Sequence, residues 1–237
     1  MSSSANRFDA VWAGADAVPG WLTRGQAARM WQAVGSLEPG SLVVEIGSHR
    51  GRSTIVLAGA ARTVGARVVA IDPFVEGRQY GGGAAKVSFE RNITAAGLAD
   101  VVDLRELAAA VVRRGWQEPV GLVYVDGKHD FWSAREDLRW SAYLVDGATL
   151  LVHDCFSSVG VTSAVLWSVL GSAKLRYDDR VGSLATFTRD RPTGSDRLRI
   201  LAELPWWGRN LAIKVLLRLR LRGLARRAGH DHDWDPY

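Results

Sequence analysis

The sequence predicts an α/β domain: a seven-stranded, mostly parallel sheet with helices on both faces and an antiparallel hairpin at one edge. Three observations predict it. Five apolar runs of strand length alternate with stretches of helical periodicity. Those runs are continuously rather than alternately apolar, as strands buried on both faces are. Near the end, Lys174–Tyr177 and Ser183–Arg189 flank Asp178–Gly182, the pattern of two strands joined by a turn.

Residues 1–20 are polar and glycine-rich with isolated aromatics (Phe8, Trp12) and are expected to be a loose lead-in. From Trp21 to Val34, apolar residues recur at helical spacing until Pro39-Gly40 stops the pattern. The first strand runs from Leu42 to the acid Glu45, and four others follow at Arg67–Asp72, Val101–Glu106, Leu122–Asp126 and Ala148–Asp154, rich in β-branched residues. Helices are expected between them around Ser53–Thr63, Ser88–Ala96, Leu107–Arg114 and Phe131–Leu144, with another at Val161–Leu170. The connection after the second strand carries Gly81-Gly82-Gly83 beside Arg78 and Tyr80, which reads equally as a lid or a solvent loop.

At 237 residues and 47% hydrophobic, the chain suits one domain with appendages, here divided as 1–20, 21–190 and 191–237. Its single cysteine excludes an internal disulfide, the N-terminus lacks a signal-peptide pattern, and no apolar run approaches bilayer length. A cytoplasmic protein is expected. The net charge of +5 is uneven: residues 191–237 hold ten Arg/Lys against five Asp/Glu, leaving the first 190 balanced. A basic tail on a neutral body argues against general nucleic-acid binding.

The chemistry is concentrated where the first strand meets its helix, in Glu45-Ile46-Gly47-Ser48-His49-Arg50-Gly51-Arg52-Ser53-Thr54. Glycines let backbone approach a ligand, and the helix start offers free amide donors. The spacing is Gly-x-x-x-Gly behind an acid rather than Gly-x-Gly-x-x-Gly, which favours a cationic nucleoside over a dinucleotide and weighs against a nicotinamide oxidoreductase. Ligands of open α/β sheets bind beyond the carboxyl ends of the strands, and those ends are acidic here. Asp72 suits the two hydroxyls of a ribose; the competing reading is a helix N-cap beside Pro73. Asp126, His153 and Asp154, two carboxylates and an imidazole converging from adjacent strand ends, would repel or bury charge unless a cation sat among them, and oxygen-rich donors with one nitrogen suit Mg²⁺, Mn²⁺ or Ca²⁺. The alternative is that they cap the following helices. His129 can reach the space above such a cation as a general base, or is a plain surface histidine.

These residues resemble those of class I S-adenosylmethionine-dependent methyltransferases, specifically the small metal-dependent O-methyltransferases. VVEIGSHRGRST is similar to that group's cofactor loop, AIDP to its ribose-binding strand end, and YVDGKHDFWSAREDLRWSAYLVDGATLLVHDCF to its metal region, over roughly residues 20–190. The resemblance implies a Rossmann-like fold and S-adenosylmethionine, its amino-acid portion near Glu45, Gly47, Ser48, Gly51 and Ser53, its adenosine between Asp72 and Leu107-Ala108, and Asp126 beside both cofactor and metal. It puts His153 and Asp154 on the family's adjacent ligand pair, with an imidazole where a carboxylate is common, and Asp126 on the remaining protein ligand. His129 falls where catechol methyltransferases carry a lysine base. Asp-Gly-x-His and the late His-Asp look most similar to a branch acting on sugars, implying a sugar or oligosaccharide acceptor stacked on Trp132, Trp140 or Tyr80. Alternatives are a catechol-like or other small hydroxylated acceptor, or a catalytically silent binding protein. A homo-oligomer is expected.

The tail, LRILAELPWWGRNLAIKVLLRLRLRGLARR, mixes leucines with arginines, which suits an anionic membrane surface, an acidic partner or a substrate groove, or else a helical pair packed on the domain or a dimer mate. His230–Trp234 is expected to be disordered.

Overall fold

The structure is a computed structural model describing residues 2–76 and 82–227. Its elements are α1 (Ser2–Asp16), α2 (Arg24–Gly35), β1 (Leu42–Ile46), α3 (Arg52–Val64), β2 (Arg67–Ile71), α4 (Gly82–Ala95), β3 (Val102–Arg105), α5 (Ala109–Arg114), β4 (Val120–Val125), α6 (Phe131–Leu138) with a 3₁₀ turn (Arg139–Tyr143), β5 (Leu144–Val152), α7 (Val159–Leu170), β6 (Arg176–Val181), β7 (Leu184–Thr188), α8 (Gly194–Leu201), α9 (Leu204–Arg218) and α10 (Arg222–Arg227). The sheet order is β3-β2-β1-β4-β5-β7-β6; the first five strands are parallel and the last two antiparallel. This is the predicted Rossmann-like architecture with its terminal hairpin.

Strand alternation divides the core. Val43, Val68, Leu122, Tyr124 and Leu151 face α1–α4, whereas Val44, Val69, Val123, Leu150 and Val152 face α5–α7 and the hairpin's Tyr177 and Phe187. β1 and β4 are buried at every position because both of their faces are covered. β3, at the edge, alternates between half-buried and exposed positions.

Four boundaries differ from expectation. The lead-in is a helix: Phe8, Trp12 and Ala15 recur every three or four residues, are buried, and lie over α3. Gly59 makes the approach possible, since a Cβ there would stand 2.8 Å from Val11. β5 begins at Leu144, and α6 stops at Leu138. The expected turn residues Asp178–Val181 belong to β6, so the reversal is Gly182-Ser183, with Gly182 at φ 57°. Of the tail, α8 and the first half of α9 pack on the domain: Ile200 and Ile213 are fully buried, and Asn210 Nδ2 donates to Phe156 O at 3.0 Å. Arg78, Tyr80 and Gly81 of the expected lid, and His230–Trp234, lie outside the described residues; Gly82 and Gly83 open α4.

Candidate active site

The predicted site residues fall along one rim, in sheet order: Leu107-Ala108 after β3, Asp72 after β2, the glycine turn after β1, Asp126 after β4, and His153-Asp154 after β5. Gly47 continues β1 at φ 86°, and a Cβ there would lie 2.1 Å from Asp126 O, so only glycine lets the β1 turn meet the β4 end. Gly51, at φ 88°, is the N-cap of α3 and supplies no side chain, leaving the first helical amides open toward the rim. Leu107 is exposed and Ala108 is the extended N-cap of α5.

Two acids behave differently from expectation. Glu45 shares the parity of Val43, which points it under α3, and it is fully buried. Its oxygens each accept a hydroxyl at 2.5 Å, from Ser53 and Thr54. Burial pushes its pKa up to about 7 against the lowering effect of those hydroxyls and of Ser48. Glu45 and Ser53 thus brace the turn from below rather than line the cofactor surface. Asp72 Oδ2 accepts the backbone amides of Ser48 (3.0 Å) and His49 (2.8 Å), and its Oδ1 that of Phe74 (2.7 Å). Three amide donors from two loops hold the carboxylate, so a bidentate ribose contact narrows to the remaining acceptor direction on Oδ1.

The β4 and β5 ends converge as predicted. Tyr124, Asp126 and His153 share one face of the sheet, and strand alternation would send Asp154 to the other. A left-handed backbone at Asp154, φ 54°, brings it back. His153 Nδ1 then lies 3.4 Å from Asp126 Oδ1 and 3.6 Å from Asp154 Oδ2. His129 Nε2 lies 3.2 Å from Asp154 Oδ2 and 3.7 Å from Asp126 Oδ1. Tyr124 donates its hydroxyl to Asp126 Oδ2 at 3.0 Å. The charges are interdependent. Burial works against ionised Asp126, but His153 and His129 outweigh it and hold its carboxyl far below the usual range. Burial likewise disfavours charged His153, but Asp126 and Asp154 raise its pKa well above normal. His129 is raised mainly by its hydrogen bond to Asp126.

The donor set fits a divalent cation. Ligand atoms of Asp126, His153 and Asp154 lie within 4.8 Å of one another. Neighbouring ligands at right angles around an ion with bonds of about 2.1 Å sit about 3 Å apart, close to the separations seen. Asp154 Oδ1 is buried without a hydrogen-bond partner, so the cluster retains an acceptor for an ion to use.

Of the expected stacking residues, Trp132 is 71% exposed beside Phe131 and remains at the surface. Trp140 is fully buried against Trp116 and Tyr143 and belongs to the core, and Tyr80 lies outside the described residues. Trp21, read from its spacing as a helix residue, precedes the N-cap Thr23 and is 59% exposed, its ring 6.2 Å from that of His49. Three further residues escaped the sequence reading. Thr54 joins Ser53 on Glu45. Arg52 makes five hydrogen bonds, to the backbone oxygens of Asp16, Val18 and twice Leu22, and to Asp16 Oδ1. Gln26, hidden within a Thr-x-x-Gln capping box, touches His153.

The fold is Rossmann-like, and the family described as "Methyltransferase domain" matches residues 44–155, from β1 through the Asp126–Asp154 cluster. Among solved structures it is similar to cofactor-bound Rv0187 from MTB, at 20% identity over 78% of this chain and 90% of that one (TM-score 0.59). It is similar also to the O-methyltransferase TomG from Streptomyces achromogenes, involved in tomaymycin synthesis, at 18% identity over 78% and 89% (TM-score 0.56). An rRNA methylase from Streptococcus thermophilus matches at 16% identity over 73% and 100% (TM-score 0.53). At these identities the likeness is one of fold.

Proposed function

We propose that the chain is an S-adenosylmethionine-dependent O-methyltransferase, assisted by a divalent cation, acting on a hydroxyl of a sugar or oligosaccharide. The observation that carries this is the convergence of Asp126, His153 and Asp154, with His129 above them, one strand away from the glycine turn. TomG, crystallised with SAM, shares the fold and supports the cofactor reading. The amides opening α3 would take the cofactor's carboxylate, Asp72 Oδ1 one ribose hydroxyl, and Leu107-Ala108 the adenine.

Asp126, His153 and Asp154 would hold the cation, whose chemistry is to anchor the acceptor oxygen and lower the pKa of its hydroxyl; Mg²⁺ matches the hard oxygen donors. With the Asp126 and Asp154 carboxylates engaged by the cation, His129 Nε2, which stands 3.2 Å from Asp154 Oδ2, would be released from them and would accept the hydroxyl proton. The oxygen forms a bond to the methyl carbon as the sulfonium–methyl bond breaks, leaving S-adenosylhomocysteine. Aligning the two reactants supplies most of the acceleration. Trp21 and Trp132, exposed indoles at the rim, suit the apolar face of a sugar; a catechol would use the same surface. Methyl transfer to a panel of sugars and catechols, with and without Mg²⁺, tests the reading. Asp154→Ala should abolish cation-stimulated turnover while S-adenosylhomocysteine affinity stays within about threefold; equal loss of both would make Asp154 structural.

A second surface follows from the tail. Leu204–Arg227 contains seven Arg/Lys (Arg209, Lys214, Arg218, Arg220, Arg222, Arg226, Arg227) and no acid, and Val215, Leu219, Leu221 and Leu224 are exposed there. Among the described residues no helix is long and apolar enough to cross a membrane. Exposed leucines among arginines suit the surface of an anionic bilayer, and a cytoplasmic, self-associating enzyme would meet it peripherally. Co-sedimentation with phosphatidylserine vesicles but not phosphatidylcholine vesicles is expected; equal recovery with both sinks the reading.

A further inference from the structure

Gln26 lies in the first turn of α2, fully buried, between the rim and the hairpin. Its amide orientation is fixed by the backbone N–H of Thr23, which can only donate. Thr23 N donates to Oε1 at 2.9 Å, and Nε2 donates to Ser183 Oγ at 3.2 Å. The atom 3.3 Å from His153 Nε2 is therefore the oxygen, which can only accept. His153 must carry its proton on Nε2, and in the neutral ring the Nδ1 lone pair points at the carboxylates of Asp126 and Asp154, 3.4 and 3.6 Å away. That is the face a cation needs.

The arrangement is stiff. Thr23 and Gln26 form a reciprocal capping box, so the residue that orients His153 is also the one that starts the helix. α2 is tied to the hairpin a second time, by Arg29 donating to both oxygens of Asp179 at 2.9 and 2.8 Å. Ser183, which holds the amide, sits buried in the Gly182-Ser183 reversal. Three separate parts of the chain thus meet at one imidazole.

We propose that Gln26 is a positioning residue: by accepting the Nε2 proton of His153 it locks the ring so that Nδ1 is presented to a divalent cation shared with Asp126 and Asp154. This rests on the cation-assisted reading above. Acceptors behind ligating histidines typically contribute 10–100-fold in metal affinity.

Mn²⁺ binding to the full chain, followed by electron paramagnetic resonance, tests it alongside the ¹⁵N spectrum of His153 in the Mg²⁺-loaded protein. Gln26→Met should weaken Mn²⁺ binding at least tenfold while S-adenosylhomocysteine affinity and the thermal midpoint report an intact fold. Gln26→Glu keeps an acceptor oxygen facing Nε2 and should restore binding to within about threefold of the parent. In the parent, Nε2 should carry the proton. Wild-type Mn²⁺ affinity in Gln26→Met, or a proton on Nδ1 in the Mg²⁺-loaded parent, overturns the proposal and leaves the cation reading standing. Failure of the parent to bind Mn²⁺ at millimolar concentration overturns both.

Discussion

Glu45 shows how one residue's surroundings determine its role. An acid at the end of the first strand looks like a ligand contact, yet its parity sends it beneath α3, where two hydroxyls and complete burial leave it a brace. Its pKa is raised from 4.5 to about 7, so the folded chain binds this proton more tightly than the unfolded chain does. The associated stability is fully present below about pH 4.5 and is lost as pH rises through about 7, a difference of about 3 kcal/mol. Urea unfolding of the parent and of Glu45→Gln from pH 4.5 to 8 should show a steeper decline in the parent. Parallel curves would mean Glu45 is not the buried acid described here. Asp137, which burial also raises to about 7, contributes in the same direction in both proteins and cancels from the comparison.

At the scale of elements, most of the sheet was legible because continuous apolar runs separated by helical stretches admit few other arrangements. Asp126 and His153 were legible as strand-end residues. The convergence of Asp154 depends on one left-handed backbone torsion, for which an aspartate in sequence gives no sign. Gln26 could be seen as the fourth residue of a Thr-x-x-Gln helix start, but its contact with His153 spans 127 positions and exists only once α2 docks. Trp21 fits the helical period of the residues after it, but the cap at Thr23 starts the helix later and leaves the ring outside. What holds Trp21 in place is Arg52, whose five hydrogen bonds bind the 16–22 segment to the start of α3 and whose guanidinium lies 5.0 Å from the Trp12 ring. Replacing Arg52 by Ala removes this latch, leaves the carbonyls of Asp16, Val18 and Leu22 without their donor, and should cost about 3 kcal/mol. The specific expectation is faster hydrogen exchange in residues 16–22 and a raised acceptor KM with S-adenosylhomocysteine affinity changed less than threefold. Unaltered exchange there would show that the segment is held by its apolar contacts alone.

For the whole molecule, the composition change at Arg191 marks a shift in charge but not the edge of the packed structure. α8 covers the hairpin with Ile200. Glu203 accepts the Tyr177 hydroxyl at 3.0 Å and Arg180 Nε at 2.7 Å, and the Arg180 guanidinium stands 3.6 Å over the Trp206 ring. Further along, Asn210 caps the Phe156 carbonyl, and Phe156 itself follows the Asp154 turn in a left-handed conformation, φ 59°. The tail therefore closes the second core and props the loop that carries Asp154. Only beyond Ile213 does burial thin out into the exposed leucines and arginines. A chain ending at Arg218 should keep its thermal midpoint within a few degrees of the full protein and retain cation binding. A chain ending at Asp190 uncovers Ile200's and Ile213's sites and strips Phe156 of its cap. It loses several buried contacts worth roughly 2–5 kcal/mol for each large apolar side chain, out of a total stability on the order of 5–15 kcal/mol. It should be insoluble or molten, with no Mn²⁺ binding. If the 190-residue chain melts cooperatively near the parent and still binds Mn²⁺, the helices after Thr193 are an appendage and the site stands without them.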